Sequence, residues 1–189
     1  STPRLVTIKV NSLPSAIISG DNSICQGETT LLTASGGNSY IWSTGTTESQ
    51  ISVTTGAHYT VTVSNSDGCN ASASVTVSVN PLPSAVISGT TSFCQGSSTS
   101  LTASGGATYQ WSTGATTPSI LISSAATYVV TTTSAAGCTS TASVTTTVNS
   151  LPSVCITGNR NFCLNSNTVL TATGGTSYHW SDGSTVNTL

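Results

Sequence analysis

Residues 13–42 read LPSAIISGDNSICQGETTLLTASGGNSYIW, and residues 82–111 and 151–180 carry the same pattern without insertion or deletion. Laid over each other, residues 13–81 and 82–150 are identical at more than half of their positions. A fixed long period is the signature of an array of one structural module. The sequence therefore predicts tandem copies of a 69-residue module. Its clearest markers are Cys25, Cys94 and Cys163, and Trp42, Trp111 and Trp180.

Short runs of alternating apolar and polar residues, separated by glycine-containing turns, fill each copy of the module. Tyr59, Val61 and Val63 alternate with polar residues, and Asn65-Ser66-Asp67-Gly68 signals a hairpin directly afterwards. Period-two alternation with polar outer positions is typical of antiparallel sheets that have one face in solvent. About six or seven short strands per copy predict an all-β fold built from small β-sandwiches.

The repeat also sets the predicted domain boundaries. Residues 1–12 align with the end of the first copy, so we expect them to form the last strand of a preceding one. Residues 13–81 and 82–150 are two complete copies, and residues 151–189 are a truncated third. Proline at the junctions, as in Asn80-Pro81-Leu82-Pro83, fixes φ and removes a donor. We therefore expect stiff junctions and a rod-like array.

The composition argues against several classes of function. From Gly68 to Asn159 the chain has no Asp, Glu, Lys, Arg or His, so the second copy lacks groups for general acid–base catalysis. Three Lys and Arg in all cannot form the cationic cluster that phosphates require. No apolar run is long enough to span a bilayer. We expect no catalytic activity, no cofactor, no nucleic-acid partner and no membrane insertion.

The motifs of the module carry a resemblance to a known family. They are Ile24-Cys25-Gln26-Gly27, then LTASGG at 32–37, YIWSTG at 40–45, Tyr59-Thr60-Val61, and Gly68-Cys69. This set resembles the immunoglobulin-like tandem repeats of Bacteroidetes cell-surface and secreted proteins, which include giant adhesins, gliding-motility proteins and accessory regions of secreted hydrolases. The resemblance covers nearly all of the chain and implies immunoglobulin-like sandwiches. It departs from an antibody domain at Val61, where that domain has a cysteine.

The large aromatic residues have two interpretations. Exposed, the tryptophans would be platforms on which sugars stack, as in a carbohydrate-binding module. Their spacing instead matches the core tryptophan of a sandwich strand, and the tyrosines lie on the inward face of a predicted strand. We favour the core interpretation for Trp42, Trp111, Trp180, Tyr59 and Tyr128.

The six cysteines are predicted to form disulfides, because zinc sites need close pairs such as CxxC and the chain has none. Disulfides imply an oxidising compartment outside the cell. The simplest pairing lies within each copy, Cys25 with Cys69 and Cys94 with Cys138, and we favour it. The alternative is a bond between copies, Cys25 with Cys138, because an immunoglobulin-like sandwich would place Cys25 and Cys69 at opposite ends. On that alternative Cys94 and Cys163 pair outside this sequence. Cys155 lies close enough in sequence to pair with Cys163.

These observations lead to one expected function and one alternative. The first is a non-catalytic structural stalk or filament segment of a secreted, adhesive bacterial surface protein. The alternative is a carbohydrate-binding or spacer module of a secreted polysaccharide-degrading enzyme. The expected partners are neighbouring repeats of the same chain, together with surface glycans or other copies of the chain.

Overall fold

The computed structural model describes residues 6–189, and every regular element in that range is a β-strand. The predicted all-β fold is confirmed. The chain divides into two compact units, one formed by residues 6–86, 103–118 and 129–142, the other by residues 87–102, 119–128 and 143–189. None of the residues from 6 to 189 belongs to a helix that could cross a bilayer.

The first sequence repeat, residues 13–81, lies within the first unit and contains seven strands. They are β1 (Ile17–Ser19), β2 (Ser23–Cys25), β3 (Thr30–Ser35), β4 (Ser39–Trp42), β5 (Gln50–Val53), β6 (Ala57–Ser64) and β7 (Asn70–Asn80). One sheet has the order β1-β3-β5, and the other has the order β2-β7-β6-β4. All pairs are antiparallel except β2 and β7, which run parallel. Seven strands in two sheets with this connectivity give an immunoglobulin-like sandwich.

The core of this sandwich follows the alternation read from the sequence. Tyr59, Val61 and Val63 on β6 are buried, whereas the residues between them are at most half-buried. They join Leu32 and Trp42 in one apolar cluster. Trp42 is only 2% exposed, and its Nε1 donates a hydrogen bond to the carbonyl oxygen of Glu48 at 3.0 Å. Trp42 and Tyr59 are thus both buried in this cluster.

The buried tyrosine of each repeat also fixes the turn before its strand. The Tyr59 hydroxyl donates to the carbonyl oxygen of Thr55 at 3.1 Å. In the second unit, the Tyr128 hydroxyl donates to the carbonyl oxygen of Ser124 at 3.2 Å. A tyrosine near the start of this strand that bonds back to the upstream backbone is a hallmark of immunoglobulin-like sandwiches. It supports the fold assignment independently of the sheet order.

The strands of residues 82–150 lie 69 positions after their counterparts. They are β8 (Val86–Gly89), β9 (Ser92–Cys94), β10 (Thr99–Ser104), β11 (Thr108–Trp111), β12 (Ser119–Ile122), β13 (Thr127–Thr133), β14 (Thr139–Thr145) and β15 (Thr147–Asn149). β11-β13-β14 form one sheet, and Trp111 on β11 is buried. β12-β10-β8 form another sheet, in which β10 and β12 are antiparallel, and β15 pairs with β9 in parallel.

One buried threonine explains why a single strand in the first repeat becomes two in the second. Thr146 occupies the position of Val77 and is equally buried. A buried hydroxyl needs a hydrogen-bond partner, and Thr146 Oγ1 lies 3.2 Å from the carbonyl oxygens of both Ser124 and Ala126. These bonds divert Thr146 from regular strand geometry, so β14 ends at Thr145 and β15 begins at Thr147.

Two expectations at the ends of the sequence are corrected. Residues 1–5 lie outside the described residues, and residues 6–12 form no strand. The third sequence repeat contributes only β16 (Cys155–Thr157) and β17 (Thr171–Thr173). With only these two strands around it, Trp180 is partly exposed rather than buried, and its Nε1 donates to the carbonyl oxygen of Val186 at 2.8 Å.

Replacing Trp42 with alanine should lower the free energy of unfolding by about 3–5 kcal/mol, as for other aromatic deletions from a packed core. Trp180→Ala is the matched control and should cost much less, because Trp180 is already partly exposed. Urea denaturation followed by circular dichroism measures both. Equal losses for the two variants would contradict the assignment of Trp42 to the core.

Candidate functional site

A disulfide between Cys25 and Cys138 joins the first and second sequence repeats. Cys25 ends β2, Cys138 directly precedes β14, and both belong to the first compact unit. Their Cα atoms are 5.6 Å apart, within the range that a disulfide spans. The favoured pairing within each repeat is wrong, and the alternative between repeats is the one observed. This bond, with its surrounding turns, is the most distinctive chemical feature of the described chain.

The parallel pairing of β2 with β7 explains why Cys25 cannot reach Cys69. Cys25 lies beside Asn80, the last residue of β7, whereas Cys69 directly precedes Asn70, the first. A strand advances about 3.3 Å per residue, so the length of β7 separates the two cysteines by roughly 35 Å. A disulfide requires Cα atoms less than about 7 Å apart. The parallel register of β2 and the length of β7 together therefore exclude the pairing within the repeat.

The Cys-Gln-Gly sequence builds the turn that presents Cys25. The Glu28 amide donates to the Cys25 carbonyl oxygen at 2.9 Å and closes a four-residue turn. Gly27 has φ of 88°, a left-handed conformation that glycine adopts without a steric penalty. The Glu28 carboxylate accepts a hydrogen bond from the Cys25 amide at 2.9 Å. The cysteine backbone is thus held from both sides before the sulfur forms its bond.

The partner cysteine lies at the end of a tight hairpin between β13 and β14. The Gly137 amide donates to the Ser134 carbonyl oxygen at 3.0 Å, and the Ser134 amide donates to the Cys138 carbonyl oxygen at 2.8 Å. Ser134 Oγ also accepts from the Cys138 amide at 3.2 Å. In the first repeat Asn65 Oδ1 accepts the equivalent bond from Cys69 at 2.9 Å. Two different side chains therefore produce the same hairpin.

Asn80 connects the turn to the hairpin, and the sequence analysis did not single it out. Its carbonyl oxygen accepts from the Gln26 amide at 2.8 Å and lies 4.0 Å from Cys138 Sγ. Its side-chain amide donates to Ser23 Oγ at 2.9 Å, which fastens the end of β7 to β2. The signal was present in the sequence, because asparagine recurs at the same interval at positions 11, 80 and 149.

The other four cysteines, Cys69, Cys94, Cys155 and Cys163, are free thiols. Cys69 is half-buried, and the others are exposed. The expected pair of Cys155 with Cys163 is not formed. Cys155 is held on β16 opposite Thr173, whereas Cys163 lies in the turn closed by the bond from the Ser166 amide to its carbonyl oxygen.

In the two complete repeats, residues 13–150, the aromatic residues do not form the exposed strip that sugar stacking needs. Trp111 is only 2% exposed, and Trp42 and Tyr59 belong to the core already described. Tyr40 and Tyr109 are half-buried, and their hydroxyls donate to the carbonyl oxygens of Gly37 and Gly106 at 3.0 Å. The hydroxyl groups of Tyr40 and Tyr109 therefore already donate hydrogen bonds within their own repeats. This burial disfavours the carbohydrate-binding alternative.

Ionisable groups are sparse and scattered through the described chain. No three His, Cys, Asp or Glu side chains among residues 6–189 lie close enough to hold a metal ion. Lys9 and Asp67 approach to 3.7 Å at the surface, where an ion pair contributes little stability. A cleft of about 220 Å³ lies beside Tyr178 and Trp180, and open grooves of about 600 and 510 Å³ lie beside Tyr109 and beside Leu151. Neither of the two larger grooves is lined by a charged side chain. None of these features forms a chemical site.

Comparison with known proteins finds no matching family model and no matching curated protein. Similar solved structures include a Ca²⁺-stabilized adhesin that helps an Antarctic bacterium bind ice, at 20% identity and a TM-score of 0.46, covering 88% of this chain and 58% of that one. An I-band fragment of titin matches at 13% identity and a TM-score of 0.43, covering 94% of this chain and 82% of that one. Murine CEACAM1b matches at 11% identity and a TM-score of 0.39, covering 71% of this chain and 100% of that one. Likeness at this level identifies no family.

Replacing Cys25 with serine should lower the free energy of unfolding by about 4–5 kcal/mol, because the bond closes a loop of more than one hundred residues in the unfolded chain. Cys138→Ser should cost the same. Cys69→Ser is the matched control and should change stability by at most about 1 kcal/mol, since Cys69 is a free thiol. Guanidinium denaturation of the oxidised proteins makes the comparison. A large loss for Cys69→Ser with none for Cys25→Ser would refute the assignment.

Proposed function

We propose that this chain is a non-catalytic, load-bearing segment of an extracellular stalk, with neighbouring repeats of the same chain as its partners. The main support for this proposal is the Cys25–Cys138 bond, which joins consecutive sequence repeats rather than the two sheets of one sandwich. A bond placed in this way cannot be required to complete either core. Its effect is to hold one module to the next.

The bond determines which parts of the chain carry force when the termini are pulled apart. A pulling force that reaches Cys25 is transmitted through the disulfide to Cys138. The backbone between these two cysteines, which are 113 residues apart in sequence, then carries no tension. The core of the first repeat from β3 onward lies inside this protected loop. Only the segments outside it can lengthen when the sandwiches unfold. A stalk gains from this arrangement because a mechanical overload is prevented from unravelling its modules.

The composition supports the same function. A secreted stalk needs a surface that stays soluble without attracting counter-charged partners, and this chain has a formal net charge of −2. Serine and threonine make up more than a third of the residues and supply the outward positions of the strands. Threonine is also a good strand former. Adhesion, and surface glycans or other copies of the chain as partners, remain part of the proposal.

Single-molecule pulling from the two termini tests the load-bearing role. In the oxidised protein the segment between Cys25 and Cys138 should stay closed at forces that unfold the sandwiches. Reduction should release an additional length of about 370–400 Å, from 113 residues at about 3.3–3.6 Å each.

Cys69→Ser is the control and should leave the oxidised trace unchanged, whereas Cys25→Ser should give the reduced trace without reductant. If the oxidised protein extends to its full contour length, the bond does not shield the modules and the proposed function fails.

A further inference from the structure

Two of the free cysteines lie one repeat away from the bonded pair. Cys94 is 69 residues after Cys25, and Cys69 is 69 residues before Cys138. Cys94 ends β9 as Cys25 ends β2, and Cys69 precedes β7 as Cys138 precedes β14. We propose that Cys94 and Cys69 each form a further inter-repeat disulfide of the same kind as Cys25–Cys138, each with a different partner. Cys94 bonds the hairpin cysteine of a repeat that follows it in register, and Cys69 bonds the turn cysteine of a repeat that precedes it.

The backbone hydrogen bonds around Cys94 reproduce those around Cys25, although Ser97 stands where Glu28 places its carboxylate. Cys94 lies opposite Asn149 in parallel pairing, as Cys25 lies opposite Asn80. The Gln95 amide donates to the Asn149 carbonyl oxygen at 2.8 Å, and the Ser97 amide closes the turn on the Cys94 carbonyl oxygen at 3.0 Å. The thiol is exposed. The backbone of the half-site is therefore formed, and the partner sulfur is what a hairpin cysteine equivalent to Cys138 would supply.

The surroundings of Cys69 reproduce those of Cys138. Cys69 Sγ lies 4.0 Å from the carbonyl oxygen of Asn11, and Cys138 Sγ lies 4.0 Å from that of Asn80, which is 69 positions later. Asn65 Nδ2 donates to the Ser12 carbonyl oxygen at 2.8 Å and holds residues 9–12 against the hairpin. The side-chain oxygen of Asn11 is buried and accepts no hydrogen bond. Residues 9–12 thus occupy the place that the end of β7 takes at the bonded junction.

The geometry favours consecutive repeats of one chain over two separate copies as the source of the partner. In the observed bond the turn and the hairpin belong to successive repeats, and Asn80 precedes the short Pro81–Pro83 connection between them. Cys69 already contacts the chain that leads directly into its own repeat, through Asn11. A second copy would have to insert its turn beside residues 9–12 without that connection.

Formation of each bond is an oxidation with a defined balance. Two thiols lose two protons and two electrons to a disulfide oxidant, here glutathione disulfide, which leaves as two glutathione thiols. The bond that forms joins the two cysteine sulfurs, and the bond that breaks is the sulfur–sulfur bond of the oxidant.

Two extended chains test the proposal. One carries the sequence of residues 121–150 after Leu189, which completes the third repeat in register. The other carries the sequence of residues 13–69 before Ser1. Each is refolded with glutathione disulfide, alkylated with iodoacetamide and mapped without reduction. We expect a peptide that joins Cys94 to the appended hairpin cysteine in the first chain, and one that joins Cys69 to the added turn cysteine in the second.

The expected result includes loss of alkylation at Cys94 in the first chain, while the Cys25–Cys138 bond persists as an internal measure of correct folding. Cys94→Ser should restore alkylation of the appended cysteine. A blue shift of Trp180 fluorescence reports that the completed repeat has folded. If Trp180 becomes buried while Cys94 stays alkylated, the proposal is overturned.

The second extension keeps the proposal falsifiable if the first fails to fold, because it leaves the third repeat unchanged. Persistent alkylation of Cys69 there, with Cys25–Cys138 intact, also counts against the proposal. The original 189-residue chain refolded at the same concentration should stay monomeric on a non-reducing gel. A covalent dimer through Cys94 and Cys69 would contradict the assignment to consecutive repeats of one chain.

Discussion

The parallel pairing of β2 with β7 is the constraint on which the rest of this structure depends. It places Cys25 at the end of β7 that is remote from Cys69 and beside the backbone of Asn80. Because a strand is rigid and extended, no adjustment of side chains brings the two cysteines of one repeat together. The sulfur of Cys25 is directed to whatever lies beyond the end of β7, and that is the hairpin of the next repeat. The disulfide between repeats follows from this register.

Much of the fold could be predicted from the sequence, because strand alternation is a local signal. The faces of β6 and the burial of Trp42 and Tyr59 follow from period-two patterning and turn chemistry. Less of the third repeat could be predicted. Trp180 lies in the same Tyr-x-Trp-Ser-x-Gly pattern as Trp42, yet its burial depends on strands that the described residues 151–189 do not contain.

The disulfide pairing required a feature that local patterns do not encode. Sequence spacing favours Cys25 with Cys69, since both recur in each complete repeat, and only the parallel register of a three-residue strand excludes it. Asn80 was missed for a related reason. Its role is to join two elements that are distant in sequence, and a single asparagine after an alternating strand reads locally as a turn residue. Its recurrence at the 69-residue interval was the usable signal.

Covalent attachment between modules suits a chain of this composition. The first repeat is small and its core is one cluster of mostly aliphatic side chains around a single tryptophan, so this sandwich has modest stability of its own. Charged networks that might hold repeats together are missing from the described part of the chain, where Lys9 and Asp67 form an exposed pair. A disulfide that restrains a long loop adds stability without enlarging the core. In the proposed stalk, the same bond would also make consecutive modules share mechanical load.

Non-reducing peptide mapping of the oxidised 189-residue chain tests the central claim most directly. Free thiols are first alkylated, and chymotrypsin then cleaves after aromatic residues that separate all four relevant cysteines, among them Trp42, Phe93 and Trp111. The account predicts one linked pair of peptides, containing Cys25 and Cys138, with Cys69 and Cys94 recovered as alkylated thiols. A linked pair that contains Cys25 and Cys69 would contradict it.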